Sequence, residues 1–280
     1  MSGGLGLVLG GGGARTFAHI GVLRAFSDAG VKIDFIGGCS GGAIFAAQHA
    51  LGWSPRDIRD AAWEHFVARG SLIKATFPLR SLISERPFTR MLEGIFGDAR
   101  ISDTRIPYFC VSTNLTRGET HVHRSGLVRD AVRASMSVPG LAPPAVRDGE
   151  IFVDGCVLNA MPVATMRSFG ASTVIGVDVS ASRGPEVKRG KLPYWWDVML
   201  SAALLGAQRD TSAADVVIKP DLSGSGFLDF ARMDEFAAIA YDATRSALSA
   251  VKPLTARNKR PQRMTEIRRQ SQTVSGSNRR

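Results

Sequence analysis

The sequence has 280 residues, of which 44% are hydrophobic and 21% charged, so it can bury a sizeable core and is neither a fibrous nor a disordered protein. Its three cysteines are widely spaced and lack a C-x-x-C pair, which argues against a disulfide framework and a zinc site and favours a reducing compartment. The net charge is +10, of which +7 lies after residue 255.

The first predicted elements are a strand, a glycine loop and a helix. An apolar run over residues 5–9 ends in four consecutive glycines, and apolar residues then recur at helical spacing from Phe17 to Phe26. Residues 31–36 form a second predicted strand, and the alanine-rich residues 43–51 a buried helix. The start of the chain lacks the basic region and cleavage site of a secretory signal, so we expect a cytoplasmic protein.

The remaining elements alternate between helices and strands. Residues 53–100 are mainly helical, with a break near Phe77, and we expect this part of the chain to cap the site. Beyond them we predict strands at 108–113, 119–123, 151–153, 173–179 and 216–218, and helices at 127–136, 163–169 and 233–251. This alternation predicts an α/β layered fold with a mostly parallel sheet. Residues 183–212 show no readable pattern.

The basic end of the chain is rich in Ser, Gln and Asn and has no apolar periodicity, which favours a disordered tail. The same charges suit an anionic membrane surface, at about 1 kcal/mol per basic residue. We expect no nucleic-acid partner, because aromatic residues do not alternate with the basic ones and no known nucleic-acid module is visible. No apolar run reaches the roughly 18 residues of a spanning helix, so membrane contact would be peripheral.

A candidate nucleophile lies at the second strand-to-helix turn, where residues 38–42 read Gly-Cys-Ser-Gly-Gly and fit the pattern G-x-S-x-G. Small residues around such a turn let the strand and the helix approach closely and leave the serine hydroxyl exposed. A plain glycine turn is the alternative. In this context the pattern favours Ser40 as a nucleophile that needs a base.

The base is not expected to be a histidine. The five histidines all lie at or before residue 123, whereas an α/β-hydrolase places its histidine last in the order serine, acid, histidine. A carboxylate held near the hydroxyl can take the same role. Asp154 is the candidate, because it follows a buried strand and precedes Gly155; an ordinary Asp-Gly turn is the alternative. Asp178, inside another predicted strand, is a weaker candidate with a structural role.

The glycine loop is the candidate oxyanion site. Unhindered amides at Gly11, Gly12 and Gly13, where a helix begins, can bind developing negative charge. A dinucleotide phosphate loop is the alternative, but Thr16 stands where its third glycine belongs, and Asp34, near the expected acidic position, precedes the serine turn.

These motifs occur in order: LGGGGAR and AHIGVLRA, then GGCSGG, VRASMSVPGLAPP and FVDGCVLNAMPV. Together they make the chain resemble the patatin-like phospholipase family over residues 5–180, and within it the esterase domain of neuropathy target esterase. The resemblance implies a three-layer α/β fold with a central, mostly parallel sheet flanked by helices. It also implies an acyl hydrolase domain at residues 1–255, followed by the basic tail at 256–280.

The resemblance further implies a mechanism. Ser40 is the nucleophile, Asp154 the proton acceptor and the loop from Gly11 to Gly13 the oxyanion hole, with Arg15 in support. No metal or cofactor is required. The substrates are acyl esters of phospholipids or lysophospholipids, which are hydrolysed through an acyl-enzyme. The resemblance carries no statement about oligomeric state.

The chain departs from the family pattern at two positions. Thr16 replaces a glycine at the end of the first motif, and Cys156 stands where Asp-Gly-Gly or Asp-Gly-Ala has a small residue. Neither change removes a reacting group, so we expect activity. The alternative is a lipid-binding or membrane-docked protein of the same fold with weakened catalysis. Trp195, Trp196 and Phe77 are further candidates for membrane contact.

Overall fold

The structure is a computed structural model that describes residues 3–68, 85–180, 198 and 209–258. The predicted break at Phe77, the pair Trp195 and Trp196, and the tail from residue 259 onward lie outside these residues. Within the described ranges, no helix is long and apolar enough to cross a lipid bilayer.

The described strands form one mixed sheet. They are β1 (Leu5–Leu9), β2 (Phe35–Cys39), β3 (Tyr108–Asn114), β4 (Glu119–His123), β5 (Ala145–Arg147), β6 (Glu150–Asp154), β7 (Thr173–Val177) and β8 (Val216–Ile218). The order β3, β2, β1, β7, β8 is parallel throughout. Strands β4 and β6 pair antiparallel with β3, and β5 pairs antiparallel with β6. The prediction of a mostly parallel sheet is confirmed.

Helices cover both faces of this sheet. They are α1 (Ala18–Asp28), α2 (Gly41–Ala50), α3 (Pro55–Ala62), α4 (Glu85–Phe96), α5 (Val128–Ser135), α6 (Val163–Phe169) and α7 (Met233–Asn258). Leu5, Leu7 and Leu9 of β1 point into a large core with α1 and α2, whereas Val8 points into a smaller core with α6. Because both faces of β1 are buried, its sequence is a continuous apolar run, as is typical of a parallel strand between two helical layers.

The largest differences from the predicted strands occur at β2 and β5. The strand expected at 31–36 begins at Phe35 and continues through Gly37 and Gly38, because its backbone pairs with β1 on one side and β3 on the other. Strand β5 was not predicted, since three residues carry too little pattern to identify a strand. The last helix is longer than expected and continues through Pro253 to Asn258.

Candidate active site

Two strands that run in opposite directions meet end to end at the site. Strand β4 is hydrogen-bonded along most of one edge of β3. Strands β2 and β6 are therefore both hydrogen-bonded to the opposite edge of β3, one after the other. The last residue of β2, Cys39, lies opposite Val111, and the last residue of β6, Asp154, lies opposite the next residue, Ser112. The carboxyl ends of β2 and β6 therefore point at each other. Ser40, directly after β2, is brought to Asp154 in this way.

Ser40 occupies a sharp turn between β2 and α2. Its backbone has φ 55° and ψ −131°, in the left-handed region that side chains rarely adopt. A Cβ atom at Gly38 would lie 2.6 Å from the carbonyl oxygen of Gly42, so the turn closes only around small residues. The predicted strand-turn-helix setting of the serine is thus present, and its strained conformation is typical of a nucleophile elbow.

The Ser40 hydroxyl donates a hydrogen bond of 2.6 Å to Oδ2 of Asp154. Both residues are buried, with 4% and 2% of their surface exposed. The second carboxylate oxygen accepts the backbone N–H of Cys156 at 2.8 Å, and the Asp154 N–H donates to the Ser137 carbonyl at 2.9 Å. The carboxylate is thus held from both sides and faces the hydroxyl.

Burial raises the pKa of Asp154 to about 6, and the hydrogen bonds from Ser40 and from Cys156 oppose that rise. The carboxylate is therefore ionised at neutral pH but is more basic than an exposed aspartate. A buried carboxylate of this kind is a suitable proton acceptor for a neighbouring hydroxyl.

The histidines have other contacts. The His19 ring donates from Nε2 to the Gly10 carbonyl at 2.8 Å, and burial lowers its pKa to about 4. His123 contacts the Ser112 hydroxyl at 2.8 Å, and burial lowers its pKa to about 3. In the described part of the chain, no histidine is hydrogen-bonded to Ser40. Among the described residues, the titratable side chain that contacts the Ser40 hydroxyl is the carboxylate of Asp154.

Ser135, at the end of α5, supports the elbow and was not singled out from the sequence. Its Oγ accepts the backbone N–H of Ser40 at 2.9 Å and donates to the carbonyl of Val111 at 2.7 Å. It thereby joins the turn to the neighbouring strand β3. In the sequence, the available sign of this role was a serine on the otherwise apolar face of a predicted helix. The sequence does not show its partner, because Ser40 is 95 residues away.

The glycine loop lies against Ser40. A Cβ atom at Gly11 would overlap Sγ of Cys156 and lie 3.0 Å from Cβ of Ser40, so this position requires glycine. The Gly11 amide already donates to the Ala160 carbonyl at 3.2 Å. The amides of Gly12 and Gly13 have no acceptor within the described part of the chain, which leaves these two as the available donors of the three predicted.

Residues beside the loop fix its shape. The Arg15 side chain donates to the Gly12 carbonyl at 3.3 Å, and burial, followed by the nearby Arg209, lowers its pKa. Thr16, the first departure from the family pattern, donates to the Gly13 carbonyl at 2.6 Å. Its side chain lies beside the loop and not between Ser40 and Asp154, whose side chains are in direct contact.

Asp178 lies on the other side of the loop. It pairs with Arg209 at 3.2 Å and with Lys219 at 3.4 Å, and the Arg209 guanidinium also reaches the Gly11 carbonyl at 3.4 Å. Asp178 therefore contacts basic side chains, whereas the Ser40 hydroxyl contacts Asp154.

An apolar cleft opens from Ser40 and holds about 800 Å³ of empty space, its open mouth included. Aromatic and aliphatic side chains dominate its wall. They are Phe17, Ile44, Phe45, Phe66, Phe88, Met136, Val138, Leu141, Phe227, Leu228 and Phe230. Phe66 and Phe230 stack with ring centres 6.2 Å apart, and Phe17 packs edge-on against both. A hydrocarbon chain is the kind of group that such a wall binds.

Comparison with known proteins gives consistent results. A family model described as patatin-like phospholipase matches residues 7–167. An uncharacterized NTE family protein of Mycobacterium tuberculosis is 34% identical over 271 residues, covering 88% of this chain and 46% of that protein. Human patatin-like phospholipase domain-containing protein 6 is 36% identical over 200 residues, covering 69% of this chain and 14% of that protein. The chain thus spans less than half the length of these relatives.

Among solved structures, VipD from Legionella pneumophila superposes with a TM-score of 0.53 and 15% sequence identity, covering 89% of this chain and 67% of that one. At this identity the similarity concerns the fold alone, and it supports the layered α/β architecture described above.

Proposed function

This chain belongs to the patatin-like phospholipase family, and we propose that it is a serine hydrolase that cleaves fatty-acyl esters of phospholipids or lysophospholipids. The observation that carries the proposal is the 2.6 Å hydrogen bond from the Ser40 hydroxyl to the buried carboxylate of Asp154. The proposal assigns these two residues as a catalytic dyad, with an apolar cleft beside them for the acyl chain.

In the first step, the Ser40 oxygen attacks the ester carbonyl while Asp154 accepts the hydroxyl proton. The carbonyl oxygen becomes an oxyanion, to which the free amides of Gly12 and Gly13 donate hydrogen bonds. Protonated Asp154 then returns the proton to the departing alcohol of the lipid. An acyl group remains on Ser40.

Water completes the reaction. It enters the position left by the alcohol, loses a proton to Asp154 and attacks the acyl carbonyl, again with the oxyanion at the glycine loop. Collapse of this intermediate releases the fatty acid and returns the proton to Ser40. The raised pKa of Asp154, about 6, favours both acylation and hydrolysis of the acyl-enzyme, because in each step the carboxylate must accept a proton and then return it.

Acyl chains are the favoured substrate feature because the wall of the cleft is almost entirely apolar. Each buried methylene contributes about 0.8 kcal/mol of transfer free energy, so a long chain provides much of the binding. Peripheral attachment to anionic membranes is part of the proposal, and the charge of +7 after residue 255 supports it.

The decisive experiment combines labelling with hydrolysis. A fluorophosphonate probe reacts with an activated serine, so the wild type should be labelled at Ser40. Ser40→Ala should lose labelling, and Asp154→Asn should lose nearly all hydrolysis of a short-chain nitrophenyl ester and of lysophosphatidylcholine. Asp178→Asn is a matched control, since Asp178 is also a largely buried aspartate but contacts Arg209 and Lys219.

The proposal fails if the wild type is not labelled although it is folded, or if Asp154→Asn retains full activity. The first result would favour a lipid-binding protein with weakened catalysis. The second would show that Ser40 uses another base. Circular dichroism of each variant separates a loss of activity from a loss of folding.

A further inference from the structure

Two cysteines lie beside the proposed dyad and have no part in the mechanism above. Sγ of Cys39 is 3.5 Å from Sγ of Cys156 and 3.9 Å from Oδ1 of Asp154. Ligand atoms from the three side chains all lie within 4.8 Å of one another, and all three residues are buried. In sequence the two cysteines are 117 residues apart, so spacing alone gave no sign of the cluster.

These separations match those of metal ligands. Tetrahedral zinc, with Zn–S bonds of about 2.3 Å and Zn–O bonds of about 2.0 Å, places two sulfurs about 3.8 Å apart and a sulfur and an oxygen about 3.5 Å apart. The observed 3.5 Å and 3.9 Å differ from these by a few tenths of an ångström.

The chemistry of the ligands selects the ion. Two sulfurs and one carboxylate oxygen suit soft or borderline ions such as Zn²⁺, Cd²⁺ and Co²⁺, whereas Mg²⁺ and Ca²⁺ prefer oxygen ligands alone. The protein supplies three ligands and leaves a fourth position for water, on the pattern of an open zinc site.

We propose that Cys39, Asp154 and Cys156 form a binding site for a single thiophilic divalent cation, such as Zn²⁺, and that the bound cation inhibits the enzyme. Binding converts both thiols to thiolates and releases their two protons to solvent, with no change in oxidation state. Oδ1 of Asp154 then donates an electron pair to the metal, and the positive charge lowers the basicity of the whole carboxylate, so Oδ2 no longer takes the proton of Ser40. The inhibition, though not the binding, rests on the hydrolase function proposed above.

Binding is measured directly with Co²⁺ on the full-length, metal-free protein kept reduced by a phosphine. Tetrahedral cobalt with thiolate ligands should give visible d–d bands and a thiolate-to-cobalt charge-transfer band that saturate at one equivalent. Zn²⁺ should displace the cobalt, and Mg²⁺ should not. Ser40→Ala keeps all three ligands, so it should show the same bands even though it lacks hydrolysis.

Three cysteine variants complete the test. Cys39→Ala and Cys156→Ala should weaken metal binding at least as much as loss of a supporting partner does, which is about 10–100-fold. Each should also raise the Zn²⁺ concentration needed for half-inhibition by a similar factor, compared with the same variant without metal. Cys110→Ala is the matched control, since Cys110 is also a buried free thiol but lies outside the cluster; it should bind cobalt like the wild type.

The proposal is overturned if the wild type shows no thiolate-cobalt bands, or if Cys110→Ala loses them and Cys156→Ala keeps them. It is also overturned if Zn²⁺ inhibits wild type and Cys156→Ala equally. A wild type that binds cobalt but hydrolyses no ester supports the site and refutes the hydrolase function, so the two failures are distinguishable.

Discussion

Ser135 provides a test of how the elbow is held. Ser135→Ala removes an oxygen that accepts the Ser40 N–H at 2.9 Å and donates to the Val111 carbonyl at 2.7 Å, both in a fully buried position. A buried N–H left without an acceptor costs about 1–3 kcal/mol, and the second lost bond about 1 kcal/mol. We therefore expect the free energy of unfolding to fall by about 2–4 kcal/mol.

The same change should also affect activity, because the Ser40 turn has an unfavourable backbone conformation and depends on this bond to keep the hydroxyl in place. We expect kcat to fall by about tenfold or more, as small misplacements of a reacting group commonly cause. Stability is measured by urea denaturation followed by circular dichroism, and kcat by nitrophenyl ester hydrolysis on the folded protein.

Ser137→Ala is the control for stability. Ser137 is buried two residues further along the chain, but its hydroxyl makes one bond, to the Arg133 carbonyl at 2.9 Å. Its loss should cost about 1 kcal/mol. If Ser135→Ala destabilises no more than Ser137→Ala and leaves kcat unchanged, then the bond to Ser40 does not hold the elbow.

Three further outcomes are expected. Asp154 must be ionised to accept a proton, and its pKa is raised to about 6. We therefore expect kcat to be constant above that pH and to fall as the pH drops through about 6. A kcat profile that stays flat down to about pH 4.5 would exclude Asp154 as the base. Gly11→Ala should abolish activity by displacing the sulfur of Cys156, and adding Cys156→Ala should restore part of it; additive losses would contradict this packing argument. A chain ending at Thr255 should sediment less with anionic vesicles than the full chain, and equal binding would exclude the tail as the membrane contact.

Local features of the site were predictable from the sequence. The turn at Ser40 joins adjacent elements, and Gly38 is required by a contact with the Gly42 carbonyl four residues along the chain, so the pattern G-x-S-x-G carried this information. Gly41 and Gly42 are required by contacts with the first strand-turn-helix segment, at Thr16 and Leu9, which the pattern alone does not show. Asp154 was identifiable as the end of a strand because an apolar run precedes it and Gly155 follows it. The alternation of strands and helices was sufficient for the layered architecture, because each element has its own hydrophobic period.

The boundaries of strands and the residues that support the site were harder to predict from the sequence. The predicted bounds of β2 lie too early in the chain because the strand contains two glycines, and glycine has little preference for strands. These glycines belong to the strand through backbone pairing with β1 and β3. The role of Ser135 was not predicted, because a serine in a short helix can face solvent or bond to its own helix. Only the structure shows that its hydroxyl contacts the backbone of Ser40 and of Val111.

The sequence alone predicts the family, the layered fold, the candidate nucleophile and the strand end that carries its proposed partner. These depend on contacts between near neighbours or on ordered motifs. Only the tertiary structure decided which groups meet. It brought Ser40 to Asp154 across 114 residues and Cys39 to Cys156 across 117, and it committed the amide of Gly11 to Ala160. The physical reason is that β2 and β6 share one edge of β3 and end at the same place, and this pairing depends on the whole sheet.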